Sequence, residues 1–162
     1  MTQKTYEIRV LLHNIRSSHN VGSIFRTSDA IGVHHIYITG YTARPVDKFL
    51  RPNKEIAKTA LGAEQSISWE YAESFDGVIA AAKAEGFFVV GLEQDARSQD
   101  YRNTFKEPKV LFVVGSEVEG MSPELRSSCD VLVEIPMQGV KESLNVAVAF
   151  GVAGFRLFED KK

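Results

Sequence analysis

Short, continuously apolar runs recur along the chain, and segments with helical periodicity separate them. Runs of this kind indicate buried β-strands. Strands that alternate with helices favour a parallel sheet, because each helix carries the chain back to begin the next strand in the same direction. The predicted strands are 8–12, 35–38, 87–92, 109–114 and 131–135. We therefore expect an α/β fold in which a parallel sheet has helices on both faces.

The predicted helices are 21–31, 72–84, a short helix that opens at Ser122, and 143–158. The connection 93–108 is the least structured stretch, and it is long for a compact domain. In open α/β sheets, ligands bind beyond the carboxyl ends of the strands. The loops that follow Leu12, Val114 and Ile135 are therefore the expected places for a functional site.

Composition limits the class of protein. The chain has 162 residues, of which 44% are hydrophobic, so one domain over residues 1–162 can bury a sizeable core. A formal net charge of −2 gives no overall attraction to nucleic acid, so such binding would need a local basic patch. The single cysteine, Cys129, excludes an internal disulfide framework. No signal segment opens the chain and no run of about 18 apolar residues exists, so we expect a cytoplasmic protein without a membrane span.

The first of the three loops leads into a helix with a buried side and an exposed side. Asn20 is a candidate N-cap for this helix. Arg26 lies about 140° around the helix from Val21, so it is expected to point away from the core. Gly22, in the first turn, would let another backbone or a ligand come close. The segment fits either a capped surface helix with a solvated arginine or an anion-binding helix N-terminus.

The second loop, Gly115 to Ser122, has the glycine spacing of a phosphate-binding P-loop. Met121, however, stands where such a loop has its lysine, and Glu117 and Glu119 would repel phosphate at close range. The loop therefore suits a ligand with hydroxyl groups, an adenine and a positive centre. The alternative is an ordinary turn from strand to helix with two exposed carboxylates.

The third loop follows Ile135 and leads into a very apolar helix. Ser143 is a candidate N-cap, and Asn145 lies in the first turn, where its side chain can face the carboxyl edge of the sheet. The helix is apolar all round, so every side of it has to be covered. One face carries the small residues Gly151 and Gly154 and most simply meets a second subunit. We expect a homodimer through the helix 143–158, with a helix buried centrally in one subunit as the alternative.

Three motifs, taken together, resemble those of a known family. They are Asn20-Val21-Gly22-Ser23-Ile24-Phe25-Arg26-Thr27, then Gly115-Ser116-Glu117-Val118-Glu119-Gly120, and last Ile135-Pro136-Met137 with Ser143-Leu144-Asn145-Val146. Their order, spacing and predicted secondary structure are similar to those of the SpoU-type (TrmH-like) branch of the SPOUT RNA methyltransferases. The resemblance spans nearly the whole chain, and three separated motifs are far more specific than one.

The resemblance implies S-adenosylmethionine as methyl donor, a ribose 2′-hydroxyl of RNA as acceptor, and a C-terminal trefoil knot, which is the α/β knot of the SPOUT fold. It implies cofactor contacts from Gly115, Ile135, Met137 and Leu144. It implies catalytic or site-organising roles for Arg26, Asn20, Glu117, Ser143 and Asn145. Arg26 would activate the hydroxyl, either as a base or by anchoring an RNA phosphate and stabilising the developing alkoxide.

A basic stretch from Arg44 to Lys58 follows the second predicted strand. Its cations, joined by Arg16, are expected to contact RNA phosphates, and a solvated helix face is the alternative. The predicted RNA-binding residues are Arg16, Arg44, Lys48, Arg51 and Lys54. The chain shows no extra N-terminal RNA-binding domain of the kind found in several ribosomal RNA members, which favours tRNA over rRNA as substrate.

Several functions stay open. The four histidines show neither HxxxH nor HExxH spacing, so no metal site is predicted. Cys129 is expected to be a small core residue and not a nucleophile. The alternative functions are a non-catalytic RNA-binding relative and a flavodoxin-like or nucleotide-binding α/β protein.

Overall fold

A parallel sheet forms the centre of the molecule. The computed structural model describes residues 6–103 and 105–161. In that part of the chain the strands are β1 (Glu7–His13), β2 (His35–Thr39), β3 (Ser68–Tyr71), β4 (Phe88–Leu92), β5 (Gln99–Asp100), β6 (Lys109–Val114) and β7 (Val131–Glu134). They form one sheet in the order β3-β2-β1-β6-β4-β7-β5, and every pair is parallel.

The helices cover both faces of this sheet. They are α1 (Ser18–Ile31), α2 (Lys54–Ala60), α3 (Ala63–Ser66), α4 (Phe75–Ala84), α5 (Pro123–Ser128) and α6 (Val146–Phe158). Side chains along β6 alternate between two cores: Phe112 belongs to the core that includes side chains of α1, α2, α3 and α6, whereas Leu111 and Val113 belong to the core that includes side chains of α4 and α5. This period of two confirms the expected sheet with helices on both faces.

The five predicted strands are confirmed as β1, β2, β4, β6 and β7. The sequence did not reveal β3 or β5. β3 is an edge strand without a fully buried side chain, and β5 is two residues long, so neither has an apolar run. β5 lies inside the connection 93–108, which is therefore not wholly irregular.

Two predicted N-caps are wrong. The hydroxyl of Ser17, not the side chain of Asn20, caps α1 by accepting a hydrogen bond from Asn20 N. The last helix begins at Val146, and its cap is Asn145, whose Oδ1 accepts from Ala147 N and Val148 N. Ser143 therefore lies in the loop before α6. Both corrections move a cap by two or three residues, within the uncertainty of any boundary drawn from sequence.

The close approach expected at Gly22 is confirmed, and the neighbour is another helix. A Cβ atom at this position would lie 1.9 Å from Thr59 Oγ1 and 2.4 Å from the carbonyl oxygen of Ile56, both in α2. Glycine therefore permits α1 and α2 to pack with their backbones nearly in contact. Among the helices of the described residues, none has the length and apolar character that crossing a membrane requires.

Candidate functional site

A pocket of about 300 Å³ lies at the carboxyl edge of the sheet, beyond the ends of β4, β6 and β7. Its volume is at the lower end of the range for small-molecule sites, about 300–1,000 Å³. The loop after β6 forms one wall, and the segment between β7 and α6 forms another. The predicted site residues that line the pocket are Gly115, Glu117, Ile135, Met137, Ser143 and Leu144.

The loop after β6 is a tight turn closed by its own hydrogen bonds. Gly120 N donates to the carbonyl oxygen of Ser116 across 3.0 Å. The hydroxyl of Ser116 accepts from the backbone amides of Val118 and Glu119. Gly120 has φ +68°, a conformation that favours glycine, and a Cβ atom on Gly115 would lie 2.8 Å from Met121 Cγ. The glycine spacing therefore serves the shape of the turn.

The pocket wall is acidic. Glu93, Glu117, Glu119 and Glu134 are among the described residues that line the pocket, and no lysine or arginine is among them. Carboxylates at close range disfavour a phosphate group and favour a cation. The arrangement agrees with the reading of Glu117 and Glu119 as residues that exclude phosphate. Within the described residues, no group of three or more His, Cys, Asp or Glu side chains is placed to hold a metal ion.

Two pocket residues after β4 were not identified from the sequence. Glu93 Oε2 accepts a hydrogen bond of 2.6 Å from Met121 N and so holds the end of the turn after β6. Gln94 Nε2 donates to the carbonyl oxygen of Glu142 across 2.7 Å and ties the same strand end to the loop before α6. The rule that ligands bind beyond the carboxyl ends of strands could have found both residues, because they directly follow Leu92.

Glu117 organises the start of α1. Its carboxylate accepts from Arg16 N at 3.3 Å, Ser17 N at 3.2 Å and Asn20 Nδ2 at 3.3 Å. A negative charge is favourable at a helix N-terminus, where backbone amides lack partners within the helix. The second motif is thereby joined to the first. These hydrogen bonds are at the start of the first motif, whereas Arg26 lies six residues beyond Asn20.

Asn20 joins the first motif to the third. It donates to Glu117 through Nδ2 and accepts at Oδ1 from Asn145 Nδ2, across 3.1 Å. The remaining oxygen of Asn145 caps α6. Each amide orientation is fixed by its partners, because a carboxylate only accepts and a helix N-terminus only donates. Glu117, Asn20 and Asn145 thus form one directed chain of hydrogen bonds beside the pocket.

Arg26 does not line this pocket in its own chain. It is exposed on α1, as expected, but six residues beyond Asn20, which is about 9 Å along a helix. It lines a second cleft with Lys58, Phe155 and four other residues: Ser23, Thr27, Ala30 and Thr59. Within a single chain, Arg26 and Glu117 therefore line different clefts.

The predicted RNA-binding residues lie on exposed or half-buried positions around the end of β2. The Arg44 guanidinium stacks 3.4 Å from the centroid of Tyr71. Arg51 pairs with Asp47 at 2.7 Å, and hydrogen bonds from the backbone and side chain of Arg51 lower the pKa of that carboxyl. Lys48 and Lys54 are exposed. Arg16 belongs to the loop after β1, with its guanidinium 5.4 Å from the ring centroid of Tyr41.

Cys129 is a partly buried residue next to α5. Its Sγ donates to the carbonyl oxygen of Leu125 across 3.4 Å, and burial raises the pKa of the thiol to about 12. A thiol with such a pKa carries almost no thiolate near neutral pH. The expectation that Cys129 packs and does not act as a nucleophile agrees with this environment.

Comparison with known proteins gives consistent relatives. The chain is 35% identical over 146 residues to a 23S rRNA (guanosine-2′-O-)-methyltransferase of Ralstonia nicotianae, covering 90% of this chain and 56% of that protein. The structure matches an AdoMet-bound rRNA methyltransferase from Sinorhizobium meliloti with a TM-score of 0.83 and 32% identity, covering 93% of this chain and 55% of that one. It also matches the TrmH/SpoU tRNA modifying enzyme of A. aeolicus with a TM-score of 0.78 and 30% identity, covering 95% and 74% of the two chains.

The chain thus spans little more than half the length of the first two of these proteins. The likeness in structure extends over nearly all of the present chain, and the fold is the SPOUT α/β knot. The model of the SpoU rRNA methylase family matches residues 7–155, which include all three motifs and every predicted site residue. The chain therefore belongs to the SpoU rRNA methylase family.

Proposed function

We propose that this protein transfers a methyl group from S-adenosylmethionine to a ribose 2′-hydroxyl of RNA. The observation that carries the proposal is the acidic pocket lined by the second and third motifs, with Asn20 of the first motif hydrogen-bonded to Glu117 beside it. A sulfonium nucleoside has the positive centre, hydroxyl groups and adenine that such a pocket suits. Residues 1–162 would form one methyltransferase domain, and its cytoplasmic location stays a prediction.

The residues of the pocket fit this ligand. Backbone groups around Gly115, Ile135, Met137 and Leu144 would hold the nucleoside, and the carboxylates of the wall would face its positive charge. S-adenosylmethionine supplies a methyl group bonded to a sulfonium sulfur. When bound, it would give this methyl group to the ribose oxygen; the electron pair of the carbon–sulfur bond would stay on sulfur, and the hydroxyl proton would pass to a base or to water.

Loss of that proton needs assistance, because a neutral hydroxyl is a poor nucleophile. Arg26 would assist this loss, either as a base that takes the proton or by anchoring an RNA phosphate and stabilising the developing alkoxide. The hydrogen bonds among Asn20, Glu117 and Asn145 would hold the starts of α1 and α6 in fixed positions beside the pocket. Ser143, exposed at the pocket wall, would face the ligand or the ribose.

The separation of Arg26 from the pocket supports a homodimer. Gly151 and Gly154 face α1 of the same chain and not a second subunit as expected, since a Cβ atom at Gly154 would lie 2.7 Å from Ile31 Cδ1. The exposed apolar side chains of α6 are Val148, Val152 and Phe155. The pocket lies at the start of this helix, and Arg26 lies beside Phe155, near its end. If α6 pairs antiparallel with its copy about a two-fold axis, Arg26 of one subunit comes next to the pocket of the other. The dimer would then complete the active site.

The RNA would lie across the carboxyl edge of the sheet. Arg16, Arg44, Lys48, Arg51 and Lys54 would contact its phosphates. The relatives act on different RNAs: the Ralstonia nicotianae protein is a 23S rRNA methyltransferase, and the A. aeolicus protein is a tRNA modifying enzyme. The preference for tRNA remains a prediction from the sequence, so both RNAs have to be tested.

The proposal is tested with radiolabelled S-adenosylmethionine and unmodified tRNA or rRNA. We expect transfer of label to RNA, with the mark on a ribose 2′-oxygen in digested nucleosides. Calorimetry should show that S-adenosylmethionine binds in preference to ATP or a flavin. If ATP or a flavin binds as tightly as S-adenosylmethionine, the result favours a nucleotide-binding protein. If the protein binds RNA but does not bind S-adenosylmethionine, the result favours a non-catalytic relative.

Mixing two variants of strongly reduced activity tests the dimer arrangement. Arg26→Ala removes the arginine, and Asn145→Ala disrupts the pocket side. If Arg26 serves the partner's pocket, half of the dimers in an equal mixture hold one intact site of two, so about a quarter of wild-type activity returns. If Arg26 serves its own pocket, or if the protein is monomeric, the mixture stays as inactive as its components.

A further inference from the structure

The connection between β2 and α2 carries a rigid loop, residues 44–53, that we call the basic loop. Val46 and Pro52 pair as an antiparallel bridge, and Asn53 N donates to the carbonyl oxygen of Pro45 across 2.8 Å. Inside the loop, Asp47 Oδ1 accepts from the backbone amides of Phe49 and Arg51. The loop is therefore fixed before any partner arrives, which lowers the entropic cost of binding.

Large apolar side chains stand at the tip of this loop. Phe49 is 65% exposed and Leu50 is 84% exposed. Leu50 also has φ +62°, a left-handed conformation that leucine rarely adopts. Backbone strain combined with exposed apolar surface costs stability, and such features concentrate at binding sites. Nothing in the packing of the described residues accounts for the aromatic ring at position 49.

Cations surround the ring. Lys48 Nζ lies 5.1 Å and the Arg51 guanidinium 5.0 Å from the centroid of Phe49. A positively charged surface with interleaved aromatic rings is the pattern of sites for single-stranded nucleic acid, where bases stack on the rings and cations follow the phosphates. The same pattern recurs nearby in the pairs Arg44 with Tyr71 and Arg16 with Tyr41.

The position of the basic loop suits an RNA strand that also reaches the pocket. The loop follows β2, and β2 lies two strands from β6 in the sheet. At about 4.8 Å per strand, the ends of β2 and β6 are roughly 10 Å apart along the carboxyl edge. Tyr41 bridges this distance, since its hydroxyl donates to Ser116 Oγ across 3.4 Å in the turn after β6. An extended strand would pass from Phe49 over Tyr41 to the pocket.

We propose that Phe49 stacks on an unpaired nucleobase beside the methylated nucleotide, so that the substrate is a single-stranded segment or loop of RNA. This inference rests on the proposed function of the pocket. The bases of a continuous duplex are stacked on one another and cannot reach Phe49. Lys48 leaves the ring for a flanking phosphate, and the base takes its place on the face of Phe49, while Arg51 stays paired with Asp47.

Binding of short RNA by the whole chain tests the role of the ring. The probes are a fluorescein-labelled, single-stranded oligoadenylate of roughly 12 nucleotides and a fully paired RNA duplex of the same length. We expect Phe49→Ala to bind the oligoadenylate about 10-fold more weakly, with an unchanged dependence on salt. Its binding to the duplex should equal that of the wild type. Lys48→Gln should instead lower the slope of log affinity against log salt by about 1 for both probes.

Two further variants separate stacking from general changes at the surface. Leu61→Ala is the matched control, because Leu61 is 66% exposed but has no aromatic ring; its affinities should equal those of the wild type. Phe49→Trp should keep the affinity for oligoadenylate, and the fluorescence of the new tryptophan should be quenched on binding. Trp69 is present in the wild type and in Phe49→Trp, so the fluorescence of the wild type gives the background signal.

The inference is overturned if Phe49→Ala binds the oligoadenylate as the wild type does, or if it loses affinity for the duplex equally. It is also overturned if Phe49→Ala changes the sedimentation of the free protein, which would make the tip a contact between proteins. Methyl transfer is measured separately. If the wild type methylates RNA and Phe49→Ala binds the oligoadenylate as tightly as the wild type does, only this inference is contradicted. A wild type that transfers no methyl group, while Phe49 still governs single-strand binding, contradicts the proposed function alone.

Discussion

The side-chain amide of Asn145 donates a hydrogen bond to Oδ1 of Asn20, across 3.1 Å, although 125 positions separate the two residues. The same Asn145 caps α6 through its oxygen, and the same Asn20 donates to Glu117. One asparagine therefore determines both where α6 begins and how it meets α1. The pocket lies beside this contact, so its shape depends on two amides being oriented correctly.

Replacing Asn145 by aspartate separates its two roles. Asn145→Asp keeps an oxygen for the cap but loses the donor to Asn20, so we expect near wild-type stability and methyl transfer reduced about 10-fold. Asn145→Ala loses the cap as well, and its free energy of unfolding should fall by about 1 kcal/mol. Urea denaturation and initial rates measure these effects. Full activity in Asn145→Asp would show that the bond to Asn20 is not needed.

Gly22→Ala should destabilise the protein by forcing α1 and α2 apart. The new methyl group would lie 2.4 Å from the carbonyl oxygen of Ile56, which is backbone and cannot rotate away. Overpacking of this kind costs about 1–3 kcal/mol. The matched control is Gly77→Ala in α4, where the new Cβ would meet only Ser74 Oγ at 3.4 Å. That change should leave stability unchanged or raise it by up to about 1 kcal/mol. Equal thermal unfolding of the two variants would contradict the packing argument.

Cys129 should react slowly with thiol reagents. Burial raises its pKa to about 12, so little thiolate is present at pH 8. We expect alkylation by iodoacetamide to be at least ~100-fold slower in the native chain than in the same chain unfolded in urea. Mass spectrometry after timed quenching measures both rates. Rapid native labelling would place the thiol in a more open environment than the structure shows.

Stability should decrease as the pH falls below about 6.5. Burial lowers the pKa of His13 and His35 in the folded chain below the ordinary value of 6.5. At acid pH the unfolded chain therefore binds more protons than the folded one, and unfolding is favoured. This contribution is fully present above pH 6.5 and is lost as the pH falls through the folded-state pKa values. Urea titrations between about pH 5 and 8 should show a flatter profile for a variant with both residues changed to asparagine.

Much of the fold could be predicted from local patterns. The five apolar runs became β1, β2, β4, β6 and β7, because a strand buried on both faces needs apolar side chains throughout. β3 and β5 were not predicted, because a strand at the edge of the sheet does not need an apolar run. The two N-caps were predicted two or three residues away from their positions in the structure. By residue type, Ser17 and Asn20 are equally suited to cap a helix, and so are Ser143 and Asn145.

The site was predicted in part. Gly115, Ile135, Met137 and Leu144 were expected together and do line one pocket. Glu93 and Gln94 lie in that pocket too, but they carry no motif of their own. Arg26 was expected to act at the same active site, yet it lines another cleft, six residues beyond Asn20 along α1. A motif gives the residues of a site without saying which of them meet in one subunit.

By itself, the sequence determined five of the seven strands and four of the six helices of the described residues, the family, and the acidic character of the loop from Gly115 to Gly120. These follow from neighbours within about ten positions, where periodicity and turn chemistry act. Only the tertiary structure decided the chain of hydrogen bonds from Glu117 through Asn20 to Asn145, which spans 97 and 125 positions. The physical reason is strand order. β6 pairs beside β1, and this brings their loops together, but no local pattern encodes which strand neighbours which.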